Sequence, residues 1–364
     1  GTGIMVTGSH NPPEYNGLKM SMAGKTLYGD DITAFHSAIE SGDLNKGSGT
    51  YREQSVLDDY FERIVSDIKL ARPMKIAVDC GNGVAGVIAT KLFTALGCEV
   101  TELFCDVDGT FPNHHPDPSK LEKLQDICES IKENHLELGQ AFDGDGDRVG
   151  VIDDTQKVIW PDRQMILYSE DVLSREPGAL IIYDVKSSYN LGKEITRMGG
   201  KELMWMTGHS LIKAKMKETG AALAGEMSGH IFFKERWYGF DDGLYSAARM
   251  LEILSKKPGK PSEIFSALPD SYNTPEIQVN FDEGEHHKFM QKFKTTADFG
   301  DANISTIDGM RVTWAKGWGL IRPSNTTPCL VLRFEADNED TLNRIQDDFK
   351  KQMLATDSGI NLNF

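Results

Sequence analysis

Short runs of consecutive apolar residues alternate with longer stretches whose apolar residues recur every three or four positions, and this alternation begins at Pro73. Strands buried on both faces produce the first pattern and amphipathic helices the second. The pattern predicts a strand at Lys75–Asp79, a helix over Val84–Leu96 ended by Gly97, a strand at Cys98–Phe104 and a helix over Ser119–Asn134. Leu138–Phe142 and Val149–Ile152 read as strands on either side of an acidic loop. A second cycle occupies 158–268, with helices at 162–174, 188–199, 209–218 and 241–255 and strands at 179–184, 202–206 and 221–225. Strand–helix alternation of this kind predicts α/β architecture with mainly parallel sheets.

The ends of the chain read differently. Gly1-Thr-Gly-Ile-Met-Val-Thr7 has strand character running into a loop, and helical patterns follow at about 30–41 and 54–70. A terminal strand needs neighbours, so a preceding segment is expected upstream of Gly1. Leu268-Pro-Asp-Ser271 marks a boundary. Beyond it, strands near 276–281, 311–315, 319–322 and 329–335 and helices near 284–295 and 338–354 predict an α+β unit with an antiparallel sheet.

With 364 residues the chain has room for several domains. A hydrophobic content of 39% and a charged content of 26% are ordinary for a globular protein, and no apolar run approaches the ~20 residues of a membrane span. The net charge of −16 argues against nucleic acid and anionic membranes as partners. Any phosphate site must therefore gather its own positive charge. The five cysteines are scattered and form no C-x-x-C, which suits buried, reduced thiols and a cytoplasmic location.

The most constraining stretch is Asp143-Gly-Asp-Gly-Asp-Arg148. Carboxylates at alternate positions crowd negative charge, which is costly unless a cation sits among them. Gly144 and Gly146 allow the backbone to curl so that the three side chains converge. The run then reads as a loop for a hard divalent metal with positions left open for phosphate oxygens. A solvated acidic turn is the plain alternative. An EF-hand is another, since Asp143, Asp145 and Asp147 match loop positions one, three and five and Asp154 falls at twelve. However, Arg148 stands where that loop needs glycine, and the flanks read as strands. A metal-dependent hydrolase is a third.

Other motifs narrow the choice. Gly81-Asn-Gly-Val-Ala-Gly86 is a G-x-G-x-x-G after a strand, which supports an NAD-dependent oxidoreductase as the rival function, or else a tight packing turn. Thr7-Gly-Ser-His-Asn-Pro12 sets a hydroxyl beside an imidazole, but Thr7 and Asn11 exclude a G-x-S-x-G elbow centred on Ser9. Gly225-Glu-Met-Ser-Gly-His230 offers a carboxylate suited to neighbouring sugar hydroxyls. Arg322-Pro-Ser-Asn-Thr-Thr327 offers a guanidinium, hydroxyls and backbone N–H groups suited to a phosphate dianion. Each alone could be a structural turn. Together, a metal loop, a hydroxyl, a diol reader and a phosphate cradle make a phosphosugar site.

On these four motifs, in this order and over essentially its whole length, the chain resembles the phosphohexomutases, in particular the bacterial phosphomannomutase/phosphoglucomutase branch. The resemblance implies interconversion of hexose 1- and 6-phosphates through a phosphoserine enzyme and a hexose 1,6-bisphosphate that serves as intermediate and activator. It implies Ser9 as phosphoryl carrier and Asp143, Asp145 and Asp147, with a phosphoserine oxygen of Ser9, as ligands of one Mg²⁺ per active site. Arg148 would steady the transferring phosphate, and His10 and Lys19 would flank Ser9. His230 is the first candidate for general acid/base and Lys19 the second. Glu226, Met227, Ser228, Gly229 and His230 would read the sugar, with Met227 the variant typical of the mannose/glucose branch. Arg322, Pro323, Ser324, Asn325 and Thr326 would cradle the non-reacting phosphate, and Lys186 and His209 would add ligand contacts. Without the motif, Lys186 would read as a solvated lysine after a strand.

The implied architecture is three similar mixed or parallel-sheet α/β domains, the first truncated, plus a smaller C-terminal α+β domain around a central cleft. The divisions fall at 1–54, 55–157, 158–268 and 269–364. Members extend roughly 100 residues further upstream, about one small domain. Hexose phosphates are the implied partners, with monomer and dimer both open.

Overall fold

The computed structural model describes residues 1–9, 11, 15–324, 327–362 and 364. His10, Asn325 and Thr326, three of the expected site residues, lie outside the described residues, as do Pro12, Pro13, Glu14 and Asn363. The chain divides into two compact units. One comprises Gly1–Ile182, Lys193–Leu203 and Gly208–Leu268, and the other Tyr183–Gly192, Met204–Thr207 and Pro269–Phe364.

The first unit opens with an antiparallel ribbon, β1 (Gly3–Val6), β2 (Leu18–Met22) and β3 (Lys25–Thr26), followed by α1 (Asp30–Ser41) and α2 (Leu57–Asp67). Next come β4 (Lys75–Asp79), α3 (Ala89–Ala95), β5 (Glu99–Leu103), α4 (Gln125–Asn134), β6 (Leu138–Phe142), β7 (Val149–Asp153) and β8 (Val158–Ile159). Their sheet runs β5-β4-β6-β7-β8 and is mixed: β5, β4 and β6 are parallel, while β7 and β8 return antiparallel. β6 and β7 are buried along their whole length, so the hairpin between them, which is the acidic run, hangs from a fixed base.

Three expected helices are markedly shorter in the structure, the first being α2, which covers Leu57–Asp67 of the expected 54–70. The stretch from Val84 forms a 3₁₀ turn (Val84–Val87) before α3. A Cβ on Gly86 would lie 2.0 Å from the Cys105 carbonyl oxygen, so this turn is set by contact with the end of β5. The stretch from Ser119 is diverted because the Asp117 carboxylate accepts from Ser119 N (3.1 Å) and Oγ (2.6 Å), a local bond that competes with helix formation; α4 starts only at Gln125.

A third sheet, ordered β10-β9-β11-β12, is built from β9 (Leu180–Asp184), β10 (Lys201–Trp205), β11 (Leu223–Gly225) and β12 (Ile231–Phe233). It is accompanied by α5 (Pro161–Arg175), α6 (Tyr189–Arg197), α7 (His209–Thr219), α8 (Gly243–Lys256) and α9 (Pro261–Ser266). The strand β12 is too short to leave a periodic signature. α8 is buried along most of its length. Asp242 caps it by accepting from Tyr245 N at 2.9 Å, so the helix begins two residues later than the pattern suggests.

In the second unit, β13 (Tyr272–Asn273), β14 (Ile277–Asn280), α10 (Glu285–Thr296), β15 (Asn303–Ser305), β16 (Met310–Trp314), β17 (Gly317–Pro323), β18 (Cys329–Ala336) and α11 (Glu339–Thr356) form an antiparallel sheet packed by two helices. Phe293, Phe334, Ile345 and Phe349 lie at its core. No described helix is long and apolar enough to cross a membrane.

All five cysteines are free thiols. Cys80, Cys98 and Cys329 are buried, whereas Cys105 and Cys128 are only half-buried, so the expectation of buried thiols fails at those two. Burial pushes the Cys98 thiol up to about 12.

A buried ionic network ties α5, β12 and α8 together. The fully buried Arg249 donates to Asp171 (2.7 Å) and Glu235 (3.1 Å) and lies over the Phe233 ring. Removing one member leaves charge buried without a partner. Arg249→Met is therefore expected to cost about 3–5 kcal/mol, measured by urea unfolding. Burial opposes ionisation of Asp171, but Arg175 and Arg249 outweigh it and hold the carboxyl down at about 2. A depressed carboxyl contributes stability above its unfolded value, about 3.9, which is lost as pH falls toward 2. Asp171→Asn is expected to remove that part of the acid limb.

Candidate active site

The acidic run curls as its glycines permit. Gly146 takes a φ of +74°, and a Cβ on Gly144 would sit 2.2 Å from the Ser9 carbonyl oxygen. Gly83 and Gly243 brace the loop from two other sides. Cβ atoms there would lie 2.9 Å from Gly144 O and 2.7 Å from Gly146 O, and Val84 N and Gly243 N donate to those same oxygens. This accounts for the G-x-G-x-x-G fingerprint. Gly81 is packed against Pro116 and His114, Gly83 against backbone of the acidic loop and Gly86 against backbone of Cys105, which leaves no room for a pyrophosphate, and the oxidoreductase reading loses its site.

Asp143, Asp145 and Asp147 bring carboxylate oxygens within 4.8 Å of one another. Asp143 is fully buried and Asp147 nearly so, which rules out a solvated turn. The EF-hand also fails: the carboxylate at its twelfth position, Asp154, accepts from Ser262 N at 2.8 Å instead. Burial, followed by the two neighbouring carboxylates, pushes Asp143 up to about 7 against the pull of Arg148. Arg148 donates to Asp143 from its backbone N (3.1 Å) and its Nε (2.7 Å). Its Nη1 lies 3.5 Å from Asp117, and its buried Nη2 has no hydrogen-bond partner among the described residues.

Two further cations answer the cluster. Lys19 Nζ bridges Asp145 (2.8 Å) and Asp147 (2.6 Å). Burial disfavours its charge, but the two aspartates overcome this and raise its pKa. His230 Nε2 faces Asp147 Oδ1 at 3.3 Å, and its Nδ1 faces Glu226 Oε2 at 3.2 Å and Ser228 Oγ at 2.8 Å. Burial again opposes protonation, yet Asp147 and Glu226 push His230 up to about 10, so the ring is held as a cation, the state of an acid. With a convergent set of hard oxygen donors within 4.8 Å of one another, the cluster fits a divalent metal.

Ser9 takes a positive φ of 53°, a conformation unusual outside glycine, and its Oγ lies 3.4 Å from Asp145 Oδ1. Thr7 fixes that turn: its Oγ1 accepts from Ser9 N (2.8 Å) and donates to Asp145 Oδ2 (2.9 Å). Thr7 was read in the sequence only as part of the motif. Its partner is 138 positions away, beyond any local signal.

Glu226, Met227, Ser228, Gly229 and His230 form the loop of the β11–β12 hairpin, closed by Glu226 N to His230 O at 2.9 Å. Gly229 has a φ of +101°, and Met227 is buried. Arg148 and His230 form a backbone bridge, which sets the hairpin loop beside the acidic run. Glu226 Oε1 also accepts from Gly208 N at 2.6 Å, at the start of α7. There His209 Nδ1 lies 3.3 Å from Asp241 Oδ2, and Lys213 Nζ lies 2.8 Å from Asp241 Oδ1. Neither Asp241 nor Lys213 was singled out by the sequence, where both look like ordinary surface charges. A cavity of about 1710 Å³ is lined by Lys19, Asp145, Asp147, His209, Lys213 and Asp241, among others.

In the second unit, Arg322 lies at the end of β17. Its Nε donates to Asp308 at 2.9 Å, and its buried Nη2 has no hydrogen-bond partner among the described residues. Pro323 and Ser324 follow it, with Ser324 N donating to Cys329 O and Ser324 Oγ bonded to Thr327 Oγ1. Lys186 is buried rather than solvated. It pairs with Glu276 at 2.6 Å, and although burial lowers its basicity, Glu276 and Asp184 leave its pKa raised.

Family models describing the four parts of phosphoglucomutase/phosphomannomutase match along the chain: α/β/α domain I at residues 1–46, domain II at 58–156, domain III at 160–272 and the C-terminal domain at 276–352. A phosphomannomutase/phosphoglucomutase of Pseudomonas aeruginosa is 54% identical over 363 residues, covering 100% of this chain and 78% of the relative. A phosphoglucomutase of Neisseria meningitidis is 53% identical over 354 residues, covering 96% and 77%. A crystal structure of a phosphoglucomutase/phosphomannomutase family protein from Burkholderia thailandensis superposes with a TM-score of 0.95 at 54% identity, covering 100% of this chain and 78% of that one.

The contact at Gly144 gives a direct test of the metal loop. Gly144→Ala must push the Ser9 turn and the acidic run apart, and Mn²⁺ affinity by calorimetry is expected to fall ~10–100-fold, the range typical when the support of a metal site is disturbed. Unchanged affinity would show that the two loops are independent.

Proposed function

The chain belongs to the phosphoglucomutase/phosphomannomutase family, and from that premise we propose that it interconverts hexose 1-phosphates and hexose 6-phosphates, with Ser9 as the phosphoryl carrier. The observation that carries this reading is the meeting of Ser9 Oγ with the buried aspartate cluster, 3.4 Å from Asp145. Both mannose and glucose phosphates are assigned as substrates, in keeping with the names of the relatives and with Met227 in the sugar-reading loop. The four-part division at 1–54, 55–157, 158–268 and 269–364 is part of the same proposal, as is a cytoplasmic location, which keeps unpaired cysteines reduced.

In the proposed reaction phosphorylated Ser9 faces a sugar hydroxyl. The bond between phosphorus and Ser9 Oγ breaks as a bond to the hydroxyl oxygen forms, giving a hexose 1,6-bisphosphate. One proton moves from the attacking hydroxyl to Ser9 Oγ. After the intermediate turns around, the other phosphate returns to Ser9 by the reverse step. His230 and Lys19, whose protons are held by neighbouring carboxylates, are assigned the acid side of this exchange.

Asp143, Asp145 and Asp147, with a phosphoserine oxygen, would hold Mg²⁺. When bound, the ion supplies positive charge against the transferring phosphoryl group. Arg148 keeps Asp143 in place and has Nη2 to spare for an anion. Glu226 and Ser228 read sugar hydroxyls. In the second unit, Arg322 and Ser324 are assigned a phosphate, and Lys186 a ligand contact.

A coupled assay of glucose and mannose 1-phosphate turnover tests the reading. The protein is expected to convert both, Ser9→Ala is expected to abolish conversion, and mass spectrometry is expected to find a phosphate on the wild-type Ser9 peptide and none on the variant's. Full activity in Ser9→Ala would sink the mechanism.

A further inference from the structure

We propose that Asp241 is a positioning residue for the phosphosugar, acting through His209 and Lys213, an inference that rests on the mutase reading above. Two consecutive aspartates end the segment after β12, and they do different things. Asp242 serves the fold: it caps α8 and accepts from Tyr60 Oη at 2.8 Å. Asp241 is bridged through its backbone to Phe232 of β12, which fixes where its carboxylate points. That carboxylate is 7% exposed and lies beside Asp147 and His230, within 4.8 Å.

Its two oxygens face one side of α7: Oδ1 accepts from Lys213 Nζ at 2.8 Å, and Oδ2 lies 3.3 Å from His209 Nδ1 without a hydrogen bond in this structure. His209 and Lys213 are four residues apart on α7, so their side chains leave the same face of the helix one turn apart. With Nδ1 turned toward a carboxylate, Nε2 is the nitrogen left to meet a ligand. The His209 ring is also stacked on His230, with centroids 5.5 Å apart and planes 28° apart, and His230 is in turn fixed by Glu226 and Asp147. Glu226 holds Gly208 N as well, so two carboxylates from separate segments pin the start of α7 at the wall of the cavity. In a chain with a net charge of −16, a cavity wall bearing Lys19 and Lys213, with the His209 ring between α7 and Asp241, is where a phosphate dianion finds positive charge. Asp241 aims two of those groups.

The test is a double-mutant cycle in the coupled assay, with Asp241→Asn, His209→Gln and the pair. Asp241→Asn is expected to raise the KM for glucose 1-phosphate about tenfold while kcat stays within about threefold, since a contact made equally in ground and transition states acts on KM. In the His209→Gln background the same change is expected to raise KM less than about twofold, because residues acting through one another are not additive. Asp241→Glu, which keeps the charge, is expected to recover most of the KM. Asp242→Asn should do the opposite: lower the thermal midpoint and leave KM alone. Lys213→Gln, at a partly exposed position, reads the same clamp should Asp241→Asn not fold, with a raised KM expected. Additive effects, a fall in kcat alone with a lowered midpoint, or an unchanged KM in Lys213→Gln overturns the inference. Wild-type protein without turnover overturns the mutase reading and this inference with it, whereas active wild-type with an additive cycle overturns this inference only.

Discussion

Mutual repulsion among Asp143, Asp145 and Asp147 is the constraint around which the first unit is arranged. Three carboxylates gathered within 4.8 Å, two of them buried, are tolerated only because fixed cations surround them. Arg148 comes from the loop itself, Lys19 from the first ribbon and His230 from a hairpin far along the chain. Each neutralising contact is also a structural tie. The charge that needs compensating therefore brings the serine turn and the Glu226–His230 hairpin loop to one place. The glycines complete the arrangement, because Gly83, Gly144 and Gly243 let backbone approach where any side chain would collide.

The electrostatic state that results is specific. The site is negative at its base and positive on its walls. Asp143, pushed up to about 7, marks where negative charge is poorly tolerated, and His230, pushed up against burial to about 10 by Asp147 and Glu226, marks a place where positive charge is held.

Much of the fold was legible because the strands are either fully buried or paired in regular registers. The periodicity located β4, β6 and β7, and β14, β16, β17 and β18 of the last sheet, within a residue or two. It failed where a tertiary contact overrode the local pattern, as at Gly86 against Cys105 and at the Asp117 turn before α4. Very short elements such as β8 and β12 carry too few residues to show a period. The site divides along the same line. Ser9, the aspartates, Glu226 and Arg322 stand in compact motifs whose composition betrays a task. Asp241 and Lys213 do not, since their roles exist only once α7 and the end of β12 are side by side. The glycine fingerprint shows the converse: a motif correct in spacing and context that is consumed by packing.

The brace at Gly243 bears on the order in which the protein is made. The acidic loop is synthesised well before α8, which both supplies that glycine and takes the Gln140 amide at the Ala247 carbonyl, a contact spanning 107 residues. At about 5–20 residues per second, the ribosome releases the aspartates several seconds before their support exists. During that interval β6 and β7 can pair, but the loop between them has no partner for Gly146 O. The acidic loop thus takes its shape late in biosynthesis, only when the third sheet and its buried helix have emerged, and a chain stalled before Gly243 would carry all three aspartates yet lack the brace that shapes their loop.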